Sequence, residues 1–484
     1  MPLNFKECLN YMGKYSRLGK NTIIVFVGNF GAKLIGFLML PLYTRWLSVS
    51  DYGLTDILNT YVSLLTYIVS CCISDSIFIF PKDESEENKR EYFSSGFLFA
   101  IFMMVLTAII FYTLSLAFPN VNNSFFNNIW FIYWMVIVAI LQQLTQQFTR
   151  SIDKMFVYGS TGIVNTVFLA LFSILLIPAY SVKGYIYAMI LSSAVAAVYS
   201  LFFSKGYKYL SIKSIDTTKL KEMLKYSIPL IPNGIMWWLV SALNRPIMET
   251  NSGLHDIGIL AVAQKFPSIL IMVFTVFSTS WQISVIEEYK KEGFLSFFNN
   301  IFRVITALNF VVFIIISLLS EVFVKVFTTE EYYEAWKYIP LLTLGAVISS
   351  FSTLLGSVFS AIRKSKSILY SSIWGGVTAI AFNLLLIPKM GILGAVLAVV
   401  ISYVAMVLSR LYYSSKYVTL VEKGKYMFMV IVGIILSLSA VFCSRTIFII
   451  ISCVSILVLY VINRDLKDNV KSYVLSIRHK NNEF

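Results

Sequence analysis

Charge is scarce in this chain: only 13% of its 484 residues are Asp, Glu, Lys or Arg. A soluble domain carries roughly 25%, because its surface must face water. A water-soluble globule of this size is therefore excluded. Histidine is nearly absent, with only His255 and His479, so a histidine metal site lacks ligands. The five cysteines, Cys8, Cys71, Cys72, Cys443 and Cys453, form no C-x-x-C pair, which argues against zinc and against a disulfide framework. No Walker loop, G-x-S-x-G or H-E-x-x-H occurs, and no long outer loop offers paired carboxylates. The expectation is a protein that is not an enzyme, without a metal or other cofactor.

What remains is oil: 58% of the residues are hydrophobic. About 20 apolar residues carry a helix across a bilayer. Such runs fall near 21–47, 52–80, 93–118, 125–150, 155–179 and 182–206, then near 226–250, 257–286, 295–320, 335–362, 367–390, 392–416, 424–443 and 446–463. The first run is too long for a signal-peptide core and reads as an uncleaved span. The expected fold is an all-α polytopic membrane protein of about 14 transmembrane helices.

The net charge of +14 would suit a nucleic acid only if it were gathered on one face or tail. Here the basic residues lie in short clusters between apolar runs, so no nucleic acid is expected. With the N-terminus inside, 30 of the 39 Lys and Arg fall on inner segments, counting Arg303 at the start of the ninth run. Six, Arg45, Lys183, Lys325, Lys337, Lys389 and Arg445, fall on outer loops. Inner loops are enriched in Lys and Arg, so the asymmetry predicts a multi-pass protein of the cell membrane with both termini cytoplasmic.

A shift of 210 residues lays SILLIPAYSVKGYIYAMILS on NLLLIPKMGILGAVLAVVIS. A weaker match sets Asp51-Tyr52-Gly53 on Asp256-Ile257-Gly258. The repeat predicts two six-helix lobes of like orientation, 21–206 and 226–416, related by an axis along the membrane normal. Segment 1–20 is a cytoplasmic N-terminus, 207–225 a cytoplasmic linker, 417–463 an appended helix pair and 464–484 a cytoplasmic tail.

Three bases, Lys33, Arg245 and Lys265, fall within spans, where a charge is costly and usually faces a cavity. Lys33 sits near the middle of the first run, with Asn29 one turn before it. Arg245 continues a row through Trp238 and Ser241, beside Asn244. Asp56 and Asn59 share one face of the second run, and Gln146 belongs to a glutamine-rich stretch of the fourth. The bland alternatives are snorkelling lysines and hydrogen bonds between helices. Central bases without equally central acids suit an anionic cargo.

The stretches NFGAKLIGFLMLPLYTRWLSVSDYG, NRPIMETNSGLHDIGILAVAQKFPSIL and LLLIP-x-x-G-x-x-G, in this order, resemble polysaccharide repeat-unit flippases of the multidrug/oligosaccharidyl-lipid/polysaccharide exporter superfamily. The resemblance covers the first twelve runs. It implies two lobes working by alternating access around a cationic central cavity. It implies a polyprenyl-diphosphate-linked oligosaccharide as cargo, with Lys33, Arg245 and Lys265 on the diphosphate. Membrane lipids, a coupling ion (H+ or Na+) and a polysaccharide polymerase are the further partners expected. Asn244 departs from the family, which frequently has an acid before the Arg. Two alternatives stand beside this reading. A multidrug or organic-ion exporter should show mid-depth acids, and a membrane-embedded polymerase or glycosyltransferase should show a large outer loop.

Overall fold

The computed structural model describes residues 28, 30–362 and 365–462. Among them the chain is helical with no strand, as a chain in lipid requires when every backbone group must be satisfied internally. Among the described residues, nine helices are long and apolar enough to cross a membrane, or ten if one bent pair counts as a single span. The protein is thus a polytopic membrane protein. The chain divides into two compact units, Met1–Trp238 and Leu239–Phe484.

Unit 1 begins with α1 (residues 30–38), α2 (Leu40–Trp46), α3 (Val49–Ser70) and α4 (Ile73–Ile79). It continues with α5 (Glu86–Ala117), the short α6 (Ser124–Asn127), α7 (Ile129–Ser151) and α8 (Met155–Phe203). The linker holds α9 (Thr217–Ser227), and α10 (Leu230–Ala242) runs across the division. Its core joins α3, α4, α5 and α7 around Phe93 and Phe148, whose rings stack 3.8 Å apart. The linker is docked onto this unit. Ser76 Oγ donates to the Met223 carbonyl at 2.8 Å, and Asp216 caps α9 by accepting from the Thr218 and Lys219 N–H groups.

Unit 2 contains α11 (Asn244–Asn251), α12 (Gly253–Ala263), α13 (Pro267–Glu288) and α14 (Phe294–Phe327). After a 3-10 segment, Glu330–Lys337, follow α15 (Ile339–Ala361) and α16 (Ser365–Ser414). The last pair is α17 (Lys423–Phe442) and α18 (Arg445–Ile462). Helix α15 is the most enclosed of the membrane-length helices, with 89% of its apolar window buried, so it forms the centre of the unit.

The two longest helices are hairpins. At 49 and 50 residues each would reach about 74 Å if straight, more than twice a hydrocarbon core. Ser181 (φ 50, ψ −132) breaks the first and Gly391 (φ 54, ψ −127) the second. The chain doubles back at each. A Cβ on Gly184 would stand 2.1 Å from the Leu176 carbonyl oxygen, and one on Gly394 would stand 2.3 Å from that of Leu386. Residues eight apart in a straight helix lie about 12 Å from each other. Ser181 and Gly391, Leu176 and Leu386, Gly184 and Gly394 are all separated by 210. The turn itself is repeated.

Several runs that read as continuous in sequence are broken. The first helix breaks at Met39, the seventh run at Leu243 and the eighth at residues 264–266. Pro41, Pro246 and Pro267 follow these breaks within one turn. Each proline lacks the N–H that would pair with the carbonyl four residues back, and its ring crowds that turn. Pro41 and Pro246 are separated by 205, the offset that also relates Asp51 to Asp256. The second run bends by 61° between α3 and α4, and no proline is near. There Cys71 and Cys72 both adopt positive φ (48 and 53). The Ser70 hydroxyl accepts the Cys72 N–H at 3.2 Å, a local bond that competes with the helical ladder.

Candidate functional site

Arg245 is buried, with 4% of its surface exposed. A guanidinium withdrawn from water must be hydrogen-bonded, since an uncompensated charge there is very costly. One nitrogen, Nη1, donates to the Ser241 carbonyl and to Asn244 Oδ1, both at 2.8 Å. The other, Nη2, donates to Gln264 Oε1.

These partners exist because the helices are broken. The break before α11 sets Arg245 in the first turn after Leu243, where its fork folds back on the end of α10. The break before Pro267 presents Gln264 across from it. Tyr403, on α16, is within electrostatic reach of the same guanidinium. Asn244 is buried, and its Nδ2 has no partner among the described residues. The cluster is a fixed cation with one amide donor in reserve.

Lys265 is half-buried in the break itself, not a third of the way into a continuous helix as its sequence suggested. Its carbonyl accepts from Ser268 Oγ at 2.6 Å. Ser241 is exposed. Thus Ser241, Asn244, Arg245 and Lys265 gather in one region of unit 2, tied through Gln264. The row Trp238, Ser241, Arg245 does not persist as one helical stripe, because the helix breaks at Leu243. Trp238 is instead buried in unit 1, where its Nε1 donates to the Thr60 carbonyl at 3.0 Å.

Lys33 is exposed on α1, and Asn29 lies outside the described residues. Asp56 is half-buried on α3 and interacts with Tyr185, whose ring lies 4.7 Å from that of Tyr43. One turn on, Asn59 is exposed and donates to the Thr55 carbonyl at 3.0 Å and to Met189 Sδ at 3.6 Å. Asp56 and Asn59 therefore share a polar seam facing α8. Gln146 does not join them: its Nε2 donates to the Tyr158 carbonyl at 3.1 Å, tying α7 to the start of α8.

One buried base escaped the sequence reading. Arg410, counted among inner-loop charges, is 3% exposed inside unit 2. It donates from Nε to Ser371 Oγ at 3.2 Å and from Nη1 to the Ser352 carbonyl. Its guanidinium lies where a Cβ on Gly356 would be, 2.7 Å away. No local pattern marks it, because its partners come from 39 and 58 residues earlier. Gln264 was legible in principle, since a polar residue three before Pro267 sits where a helix must open.

The profile of the polysaccharide biosynthesis protein family matches residues 18–282. The capsular polysaccharide biosynthesis protein CapF of Staphylococcus aureus is 23% identical over 413 residues, covering 81% of this chain and 98% of CapF. An uncharacterized membrane protein in the cps region of Klebsiella pneumoniae is 22% identical, covering 77% of this chain and 78% of its own. Among solved structures, the lipid II flippase MurJ in an inward closed conformation superposes with a TM-score of 0.71 at 15% identity. That match covers 92% of this chain and 99% of MurJ. A multidrug resistance MATE family transporter of the MOP superfamily, outward-facing, gives a TM-score of 0.58 at 13% identity over 83% of this chain and 95% of its own.

Proposed function

The chain belongs to the polysaccharide biosynthesis protein family, and from that premise we propose that it moves a polyprenyl-diphosphate-linked oligosaccharide from the cytoplasmic to the outer leaflet for cell-surface polysaccharide synthesis. It acts as a transporter and not as an enzyme. The observation that carries this reading is Arg245, a buried guanidinium in a lipid-embedded unit, held at the junction of two broken helices. Arg offers planar paired donors that match phosphate oxygens, and such charge-assisted bonds are about twice as strong as neutral ones. Lys265, next to Gln264 in the same unit, supplies a further cation for the diphosphate. A buried base disfavours an organic cation as cargo.

The MurJ fold supports a lipid-linked cargo, and the likeness to MATE transporters supports alternating access. Counting each hairpin as two spans, and each broken helix as one, supports the reading of fourteen crossings. Both termini then lie in the cytoplasm of a cell-membrane protein. A coupling ion, H+ or Na+, and a polysaccharide polymerase complete the expected partners.

The test is a flipping assay with full-length protein in liposomes carrying a fluorescent lipid-diphosphate oligosaccharide. Wild type should translocate the label, and Arg245→Ala, at equal abundance, should not. Undiminished translocation by Arg245→Ala would remove the residue from the mechanism. Sugar transfer without translocation would overturn the function.

A further inference from the structure

Arg150 stands half-buried in the last turn of α7, in unit 1. Its guanidinium carbon lies 3.9 Å from the centroid of the Phe78 ring on α4 and 5.5 Å from that of Tyr158 on α8. Gln146 holds the α8 side in place through its bond to the Tyr158 carbonyl. Two aromatic rings from two elements therefore position the guanidinium, each by a cation–π contact.

The donors of this side chain are unspent. Among the described residues its guanidinium makes no hydrogen bond and no ion pair, and its nitrogens reach solvent. The end of α7 does not use it, because the Phe148, Thr149 and Arg150 carbonyls already accept the N–H groups of Ile152, Lys154 and Asp153. Asp75, on α4, lies within electrostatic reach. A guanidinium beside a carboxylate ordinarily closes a bidentate pair. Here no such pair forms among the described residues, and the Asp75 oxygens also reach solvent. The two charges offset one another at a distance while the guanidinium keeps its donors open.

We propose that Arg150 binds the phosphodiester of a glycerophospholipid headgroup. In the orientation inferred from charge, the end of α7 lies at the inner leaflet, at the depth of lipid phosphates. The planar fork matches two oxygens of one phosphate. Ile79 and Phe156, exposed on α4 and α8, offer acyl chains an apolar surface. Asp75 sets the charge that the site accepts. A diester carries one negative charge, whereas a phosphomonoester carries nearly two above pH 7 and is repelled by the carboxylate. A diphosphate is disfavoured for the same reason, so the proposal stands apart from the transport reading and from the Arg245 cluster.

The experiment measures retention of defined lipids by full-length protein in detergent at about pH 8, using native mass spectrometry. The probes share their acyl chains: phosphatidylglycerol as diester, phosphatidic acid as monoester and a diglycosyl diglyceride without phosphate. The diester should be retained at least about tenfold more than the phosphate-free lipid, and more than the monoester. Arg150→Gln should reduce the first preference to about one. Lys213→Gln, at an exposed base of the linker, should leave it unchanged. Asp75→Asn keeps Arg150 and its ring contacts, so it decides the matter if Arg150→Gln fails to fold: the monoester should then be retained as well as the diester. A monoester retained above the diester by wild type would overturn the proposal in favour of general attraction to charge. An undiminished preference in Arg150→Gln would overturn the location, and an unaltered order in Asp75→Asn would overturn the selection by charge. Displacement by equimolar soluble glycerophosphoglycerol would overturn the lipid as the source.

Discussion

Arg245 Nη2 donates to Gln264 Oε1, so one hydrogen bond joins the break that precedes α11 to the break that precedes α13. Neither residue has a helical neighbour that could make this bond. It exists only because two prolines, Pro246 and Pro267, open two helices at facing places. A phosphate that takes the guanidinium must compete with Gln264 for it.

The Arg245–Gln264 bond predicts a separate loss from each of two substitutions. Gln264→Leu should cost about 1–3 kcal/mol of stability, because it leaves a buried charged donor short of an acceptor. Arg245→Lys keeps the charge but loses the planar fork, and surface polysaccharide should fall about tenfold or more. The readouts are thermal unfolding in detergent and quantified surface glycan in a complemented deletion strain. Normal glycan with Arg245→Lys would show that charge alone suffices.

The turn residues predict a reciprocal pair. Ser181 carries a side chain at φ 50, ψ −132, where glycine is at ease and other residues are strained by about 1–3 kcal/mol. Ser181→Gly should therefore raise stability by roughly 1 kcal/mol. Gly391→Ala imposes the same strain and brings its Cβ to 3.4 Å from Asp256 Oδ2. It should lower stability by about 1–3 kcal/mol. Shifts in melting temperature of the same sign for both would contradict the equivalence of the two turns.

Asp216 makes the linker sensitive to acid. Hydrogen bonds from the Lys219 N–H and then the Thr218 N–H hold its carboxyl below the ordinary value of 3.8. A depressed native pKa stabilises the fold above the ordinary value, and the benefit is lost as pH falls through the native one. Hydrogen exchange of α9 should accelerate in that acid window. Asp216→Asn keeps a capping acceptor and removes the titration, so its exchange should lack that step. An identical step in the variant would place the titration elsewhere.

Glu321, near the C-terminal end of α14, ties that helix to the final helix pair. Its buried carboxylate accepts from Tyr333 Oη at 2.7 Å, Lys325 Nζ at 2.8 Å and Arg445 Nε at 2.7 Å. Lys325 and Arg445 themselves reach solvent, so losing the acid leaves no stranded cation. Glu321→Gln should cost about 1–2 kcal/mol, below the price of breaking a fully buried pair. Thermal unfolding measures it, and cross-linking between α14 and α18 should weaken in parallel.

The long apolar segments were legible because lipid imposes a length and a composition on each of them. The repeat was legible because Pro178 and Pro388, Gly184 and Gly394 hold equal spacing in both copies. The breaks at Met39, Leu243 and Gln264 were written in the prolines but masked by apolar composition, which does not change across them. The bend at Cys71 and Cys72 carries no proline and left no mark. Arg245 stood out as a charge in an oily run. Arg410 did not, since it lies beside a basic loop and owes its burial to Ser352 and Ser371, far away in sequence.

The two hairpin turns restrict which parts of the chain have freedom to move. With Gly184 seated on the Leu176 carbonyl and Gly394 on that of Leu386, neither pair of helices has slack at its tip. Among the described residues, and setting aside breaks near run ends such as those at Asn128 and residues 228–229, the interruptions that are not hairpin turns fall at Met39, at Cys71–Cys72, at Leu243 and at residues 264–266. All four lie in the first two helices of one repeat or the other. The breaks that fall well inside a span are therefore concentrated at one end of each duplicated half.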